Sequence, residues 1–209
     1  MSPAESPIAA LVAAADAYLS RFPGAGVSAV RAGIAAAHGP VAPCVVSNAV
    51  CDAHLPAALD ALRPQEPALA LAIANAAPCL PWITYDLYDP AKIGESFRTG
   101  HAFAQLLQAE DFDLGLFLIA PNVLYRDHAH PAPELYAPLT GPHGWRFGPG
   151  GPLELRPAHQ PVWNPPHRPH LTKVGPLPFL ALYGWTRDVD APAYVLPAED
   201  WGMLEALRL

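Results

Sequence analysis

Proline recurs so often in this chain that it argues against long uninterrupted helices. Twenty-seven of the 209 residues are proline, and an interior proline removes a backbone donor and clashes with the turn before it. The fold must therefore be assembled from short elements joined by turns. Hydrophobic residues make up 52% and charged residues only 15%. Short elements of that composition can share a sizeable core, and intrinsic disorder is excluded.

The apolar period changes once along the chain. In the first part Ser6 can cap a helix that begins at Pro7. Ile8, Leu11, Val12, Ala15, Leu19 and Phe22 then recur at steps of three and four until Pro23-Gly24. A second helix is predicted over Val27–Ala37. A third opens at Asp52 or Ala53 and runs to Pro64, and a fourth covers Pro67–Ala77. From about Phe97 short apolar runs alternate with turn clusters: 102–107, 114–120, 134–139, 153–155, 161–163, 179–185 and 194–196. Strands at this spacing suggest a sandwich or a barrel. A closing helix is expected over Ala198–Leu207. The expected organisation is α+β, with residues 1–95 a helical subdomain packed on a β-unit of residues 96–209.

Several functions are disfavoured at once. A net charge of −7 speaks against a nucleic-acid partner or a polybasic membrane surface. The longest uncharged stretches, 32–51 and 67–85, are interrupted by prolines, so no membrane span is expected. The first basic residue is Arg21 and no secretory signal is read, which makes the cytoplasm the expected location. Cys44, Cys51 and Cys79 contain no CxxC pair and read as reduced thiols, with a Cys44–Cys51 disulfide or a redox role as the alternative. A homodimer is the default assembly.

The chemistry concentrates in residues 125–136, Tyr-Arg-Asp-His-Ala-His-Pro-Ala-Pro-Glu-Leu-Tyr. His128 and His130 are two apart, so on a strand they face the same side. Glu134 and Tyr136 have the same parity and can rejoin that face after a turn at Pro131–Pro133. Two imidazoles and a carboxylate form a site for a divalent metal with open positions. A third imidazole completes it, with His170 the best candidate and His167 the alternative. His38 and His54 fall in the helical part, and His101, His143 and His159 near turns or strand starts. None of these five is expected to be a ligand. With Gly141 added, the spacing is H-x-H-x3-E-x6-G, which resembles the cupin motif of a small jelly-roll β-barrel.

Two longer stretches narrow the resemblance. PNVLYRDHAHPAPELYAPLTGPHGW at 121–145 and WNPPHRPHLTKVGPLPFLALYGW at 163–185 are similar to the cupin-type dimethylsulfoniopropionate (DMSP) lyases, over about residues 95–190. That family also places a helical part ahead of a metal-binding barrel. The resemblance implies a site lined by Tyr125, His128, His130, Glu134, Tyr136 and His170, with Trp185 where the family has a tryptophan. Pro133, where the family often has an acidic residue, and the stiff loop of Pro165, Pro166 and Pro169 depart from the pattern.

The implied reaction is β-elimination, in which a proton leaves the carbon alpha to a carboxylate and dimethyl sulfide leaves the beta carbon. Acrylate remains. The expected substrate is thus a small-molecule carboxylate. A dication polarises it, and lowers the pKa of a nearby tyrosine toward the phenolate. Tyr136, sharing the face of Glu134, is the expected base, with Tyr125 as runner-up. Trp163, Tyr183 and Trp185 could hold the sulfonium by cation–π attraction. Metal identity stays open among Fe(II), Mn(II), Zn(II), Co(II) and Ni(II). Alternatives are an Fe(II) dioxygenase, an isomerase of a small acid, a relative with a different substrate, or a non-catalytic binding module. The tyrosine pair suits proton abstraction better than oxygenation. The few basic residues of the helices (Arg21, Arg31, Arg63) disfavour a transcription factor.

Overall fold

The computed structural model describes residues 6–85 and 88–209. Four helices come first: α1 (Pro7–Leu19), α2 (Ala25–Ala36), α3 (Ala49–Leu62) and α4 (Pro67–Ala76). Proline at the first position starts α1 and α4, where the missing N–H is no loss. Ser6 occupies the cap position of α1, but its side chain makes no capping bond. The third helix begins earlier than its apolar period suggests. The Asn48 side chain accepts from the amides of Val50 and Cys51 at 3.0 and 3.2 Å, so the helix opens at Ala49 rather than at Asp52 or Ala53. Cys44, Cys51 and Cys79 are free thiols. Two short helices, α5 (Pro90–Ile93) and α6 (Glu95–Thr99), lead into the strands. Among the described residues no helix is long and apolar enough to cross a membrane.

Among the described residues, ten strands form two antiparallel five-stranded sheets. The first sheet contains β1 (His101–Ala109), β2 (Phe112–Ile119), β9 (Phe179–Trp185), β4 (Glu134–Pro138) and β7 (Val162–Asn164), in that order. The second contains β10 (Tyr194–Val195), β3 (Leu124–Ala129), β8 (His170–Val174), β5 (His143–Phe147) and β6 (Glu154–Arg156). This is the double-sheet jelly roll that the motif spacing implied. A last helix, α7 (Trp201–Ala206), follows.

Alternation divides each strand of the first sheet between two cores. Leu114, Leu116, Leu118, Leu135, Ala137, Leu180 and Leu182 face outward and join the buried leucines of α1, α3 and α4. Each fully buried leucine contributes about 2 kcal/mol, which is what fastens the helices to the sheet. Phe117, Tyr136, Phe179 and Tyr183 face inward with Tyr125 and Trp145 of the second sheet. Gly141 permits a close approach that a side chain would block, because a Cβ there would lie 2.6 Å from the amide nitrogen of Ala158.

The outer face of the second sheet is closed by α7. Leu124 and Leu171 pack on Leu204. Arg146 reaches both Asp127 and Asp200, and the Trp201 indole donates to Asp127 at 2.8 Å. Arg146 and Asp127 are 1% and 0% exposed, so neither can exchange its partner for water. Truncation of Asp127 to alanine is expected to cost about 3 kcal/mol, the usual penalty for breaking a buried ion pair. Denaturant unfolding monitored by tryptophan fluorescence measures it, and a loss under 1 kcal/mol would show that Asp200 alone suffices for Arg146.

Candidate metal centre and cavity

The ladder between β3 and β8 is irregular between Tyr125 and His128. That irregularity determines what β3 presents to the interior. On a regular strand, residues three apart face opposite sides. The bulge instead sends Arg126 and Asp127 outward, toward Glu205 and Arg146. Tyr125 and His128 both turn inward, stacked with ring centres 3.7 Å apart. His170 is the first residue of β8 and pairs directly with His128. It belongs to the sheet, not to the proline-rich loop before it. His167 lies in that loop, exposed, with its ring beside Tyr194, and takes no part in the cluster.

His128, His130 and His170 are buried and bring one ring nitrogen each within 4.8 Å of the others. Each Nδ1 lies against a backbone carbonyl: that of Arg126 at 2.8 Å, of Ala132 at 2.7 Å and of Arg168 at 3.0 Å. A carbonyl only accepts, so each Nδ1 donates its proton and each Nε2 is the ring nitrogen turned inward. Glu134 adds a carboxylate. Its Oε2 is 3.2 Å from Nε2 of His130 and 3.4 Å from Nε2 of His170. Its Oε1 accepts from the Trp185 indole at 2.7 Å, and Oε2 from the Asn164 amide at 3.0 Å.

Unless a ring takes a second proton these groups can only accept, in an interior from which water is largely shut out. His170 Nε2 is buried with no hydrogen-bond partner. Ligands about 2.1 Å from one ion, at roughly right angles, stand about 3 Å apart, close to the separations of Glu134 from His130 and His170. The donor set therefore fits a divalent transition metal. Burial pushes His128 well below its ordinary pKa, which keeps it neutral and fit to coordinate. Burial would push the Glu134 carboxyl up, but the facing His130 and His170 rings outweigh it and hold Glu134 well below the usual carboxylate range.

A cavity of about 210 Å³ opens beside this cluster. Glu134, Tyr125, Tyr136, Tyr183 and Trp185 line it, together with Tyr85, Tyr88, Phe103 and Phe117. The Tyr88 and Tyr125 hydroxyls are hydrogen-bonded at 2.6 Å. Burial, then the Glu134 carboxylate, holds the Tyr136 hydroxyl well above its ordinary 10. Burial, then Tyr88, does the same to Tyr125. Trp163 does not reach the cavity. Val162 and Asn164 face inward, so Trp163 faces outward and packs over Gly26 of α2. Trp163 is therefore not part of the cavity wall, contrary to the expectation that it holds the substrate.

Sequence reasoning passed over Asn164, Tyr88 and Asp113. Asn164 is recognisable only through the β4–β7 register, which sets it opposite Glu134. Asp113 had a local signal, a charge one residue inside an apolar strand.

Residues 38–181, more than half of the chain, match the family described as dimethylsulfoniopropionate lyase. The chain belongs to the DMSP lyase family. The match begins at residue 38 and so includes α3 and α4, beyond the 95–190 stretch that carries the sequence resemblance. Among solved structures, the DMSP lyase DddQ from Ruegeria pomeroyi DSS-3 shares 22% identity at a TM-score of 0.66. The alignment covers 95% of this chain and 99% of that one. A structure from a study of the DMSP lyases RdDddP and RnDddQII shares 19% identity at 0.64, covering 91% and 98%. At these identities the likeness shows the shared fold. No curated protein sequence matches the chain.

The Trp185 indole fixes one oxygen of Glu134 from behind, a support that orients the carboxylate. Trp185→Phe is expected to weaken metal binding by about 10- to 100-fold, read by competition with a coloured chelator. Unchanged affinity would show that Asn164 alone orients Glu134.

Proposed function

We propose that this chain is a metal-dependent carbon–sulfur lyase that cleaves DMSP to dimethyl sulfide and acrylate by base-catalysed β-elimination. The observation that carries this reading is the convergence of three imidazole lone pairs and the Glu134 carboxylate at the wall of a cavity whose nearest hydroxyls belong to tyrosines. His128, His130, Glu134 and His170 would hold the ion. When bound, a divalent metal supplies a Lewis acid for the substrate carboxylate and offsets the Glu134 charge that, together with burial, keeps Tyr136 protonated.

Tyr136 is the base. Its ring lies on the inward face two residues after Glu134, and its oxygen receives the proton from the carbon alpha to the carboxylate. The electron pair of that C–H bond becomes the second bond of the acrylate double bond. The C–S bond breaks and its pair leaves on sulfur, so dimethyl sulfide departs neutral and no general acid is required. Tyr125, tied to Tyr88, holds the substrate carboxylate and is the second candidate for the base. Tyr183 and Trp185 offer aromatic faces to the sulfonium, each worth about 0.5–2 kcal/mol. The surrounding rings exclude water, which strengthens each of these electrostatic contacts.

Purified protein is expected to carry a transition metal by elemental analysis, and His130→Ala and Glu134→Ala to lose both metal and turnover. Metal-free protein whose melting temperature does not rise with Mn(II) or Zn(II) would contradict the site. Tyr136→Phe should retain metal while slowing dimethyl sulfide release by on the order of 10²- to 10⁴-fold, measured in the headspace above protein supplied with DMSP. A fully active Tyr136→Phe beside an inactive Tyr125→Phe would reverse the two roles.

A further inference from the structure

The cavity has a second charged wall to which the elimination assigns no task. Asp113 on β2 pairs in register with Trp185 on β9, and Trp185 pairs with Glu134 on β4. The two carboxylates thus lie in one row across the sheet, two strand spacings or roughly 10 Å apart at the backbone. Asp113 lines the cavity and is 9% exposed. Its Oδ2 accepts from the Gln105 amide at 3.0 Å and from the Tyr183 hydroxyl at 3.3 Å. Its Oδ1 is buried with no hydrogen-bond partner among the described residues.

A purely structural role does not account for this group. A neutral amide would satisfy Tyr183 as well, and a carboxylate with a bare oxygen in a dry interior is costly. No lysine or arginine appears among the described residues that line the cavity, so the chain does not neutralise Asp113 there. Gln105 and Tyr183 nonetheless orient it as an acceptor. Between Asp113 and Glu134 the same face carries the aromatic rings of Tyr183 and Trp185. Burial raises the Asp113 carboxyl to about 6, which leaves it mostly ionised at neutral pH, and a neighbouring cation would draw it back down.

We propose that Asp113, held by Gln105 and Tyr183, is the counter-ion for a fixed positive charge on the ligand, and that it selects acids carrying a cation a few bonds from the carboxylate over neutral acids of the same shape. The inference rests on the reading of the Glu134 end as a metal centre that takes the ligand's carboxylate. It goes beyond that reading by assigning the specificity for charge to one residue that takes no part in elimination.

The test uses two non-reacting isosteres. The metal-loaded wild-type protein is titrated calorimetrically with 3-(trimethylammonio)propanoate and with 4,4-dimethylpentanoate, which differ in a nitrogen cation against a neutral carbon. The cationic acid is expected to bind about tenfold more tightly or better, in line with a charge-assisted contact in a desolvated site. In Asp113→Asn the ratio should fall by about tenfold, chiefly through loss of affinity for the cation, leaving only the preference that the Tyr183 and Trp185 rings sustain. Equal wild-type affinities would overturn the proposal, and that measurement needs no variant. A preference that survives intact in folded Asp113→Asn would overturn it too, and would assign the selection to the aromatic rings. Neither compound has to react. Failure to release dimethyl sulfide from DMSP would therefore remove the lyase reading while this preference could still be measured.

Discussion

The interior of this protein is organised around an excess of hydrogen-bond acceptors. Three backbone carbonyls take the Nδ1 protons of His128, His130 and His170, and so turn three lone pairs toward one point. Glu134, fixed by Trp185 and Asn164, turns a fourth acceptor to the same point. Lone pairs facing one another across about 3 Å repel, and burial removes the water that could separate them. The polypeptide alone can relieve this only by protonating a ring. Glu134 does raise the pKa of His130 against the opposing effect of burial. A single dication relieves all four at once. The rest of the fold serves to hold this arrangement: β3 and β8 place His128 opposite His170, and β4, β9 and β7 place Glu134, Trp185 and Asn164 in one row.

The sheet faces sort charge as well as polarity. Arg146 and Lys173 are almost wholly buried, yet both lie on the outer face of the second sheet. Arg146 binds Asp127 and Asp200, while Lys173 donates to the carbonyls of Asn122 and Glu205. Their positive charge is absorbed beneath α7 and is not spent on the cavity. The inner face keeps Glu134 and Asp113, framed by aromatic rings whose faces are themselves attractive to cations. An interior built this way favours a metal ion at one end and a cationic group at the other.

Much of this plan is legible in the residues, and the parts that are not have identifiable causes. The period change near residue 95 and the parity of His128, His130, Glu134 and Tyr136 report local geometry, so they can be read directly. Tyr125 could be placed with them only by resemblance, because its three-residue offset from His128 contradicts strand parity until the bulge is known. The strands holding His143–Phe147 and His170–Val174 do not look apolar, since Arg146, Thr172 and Lys173 are buried through partners far along the chain. Trp163 misled for the opposite reason. A large aromatic near the barrel suggested a ligand wall, but its neighbours Val162 and Asn164 own the inward face of β7. Asn48 capped α3 ahead of the stripe that marked it, since a cap is a single polar residue and not a period.

The bulge in β3 connects these observations. Without it Asp127 would alternate inward, placing a third carboxylate beside Glu134 and leaving Arg146 short of a partner. Stability of the second sheet and chemistry of the site therefore depend on the same extra residue. It sends Arg126 to Glu205 and over the Trp201 ring at 4.6 Å, which binds α7 to the back of the strand. It also stacks Tyr125 on His128 at the front. Bulges re-aim side chains at the cost of a local break in the ladder, and here the contacts with α7 on the far side offset that break. A segment closing the outer face thereby fixes the orientation of a ring inside the cavity, although no atom of α7 needs to approach the substrate.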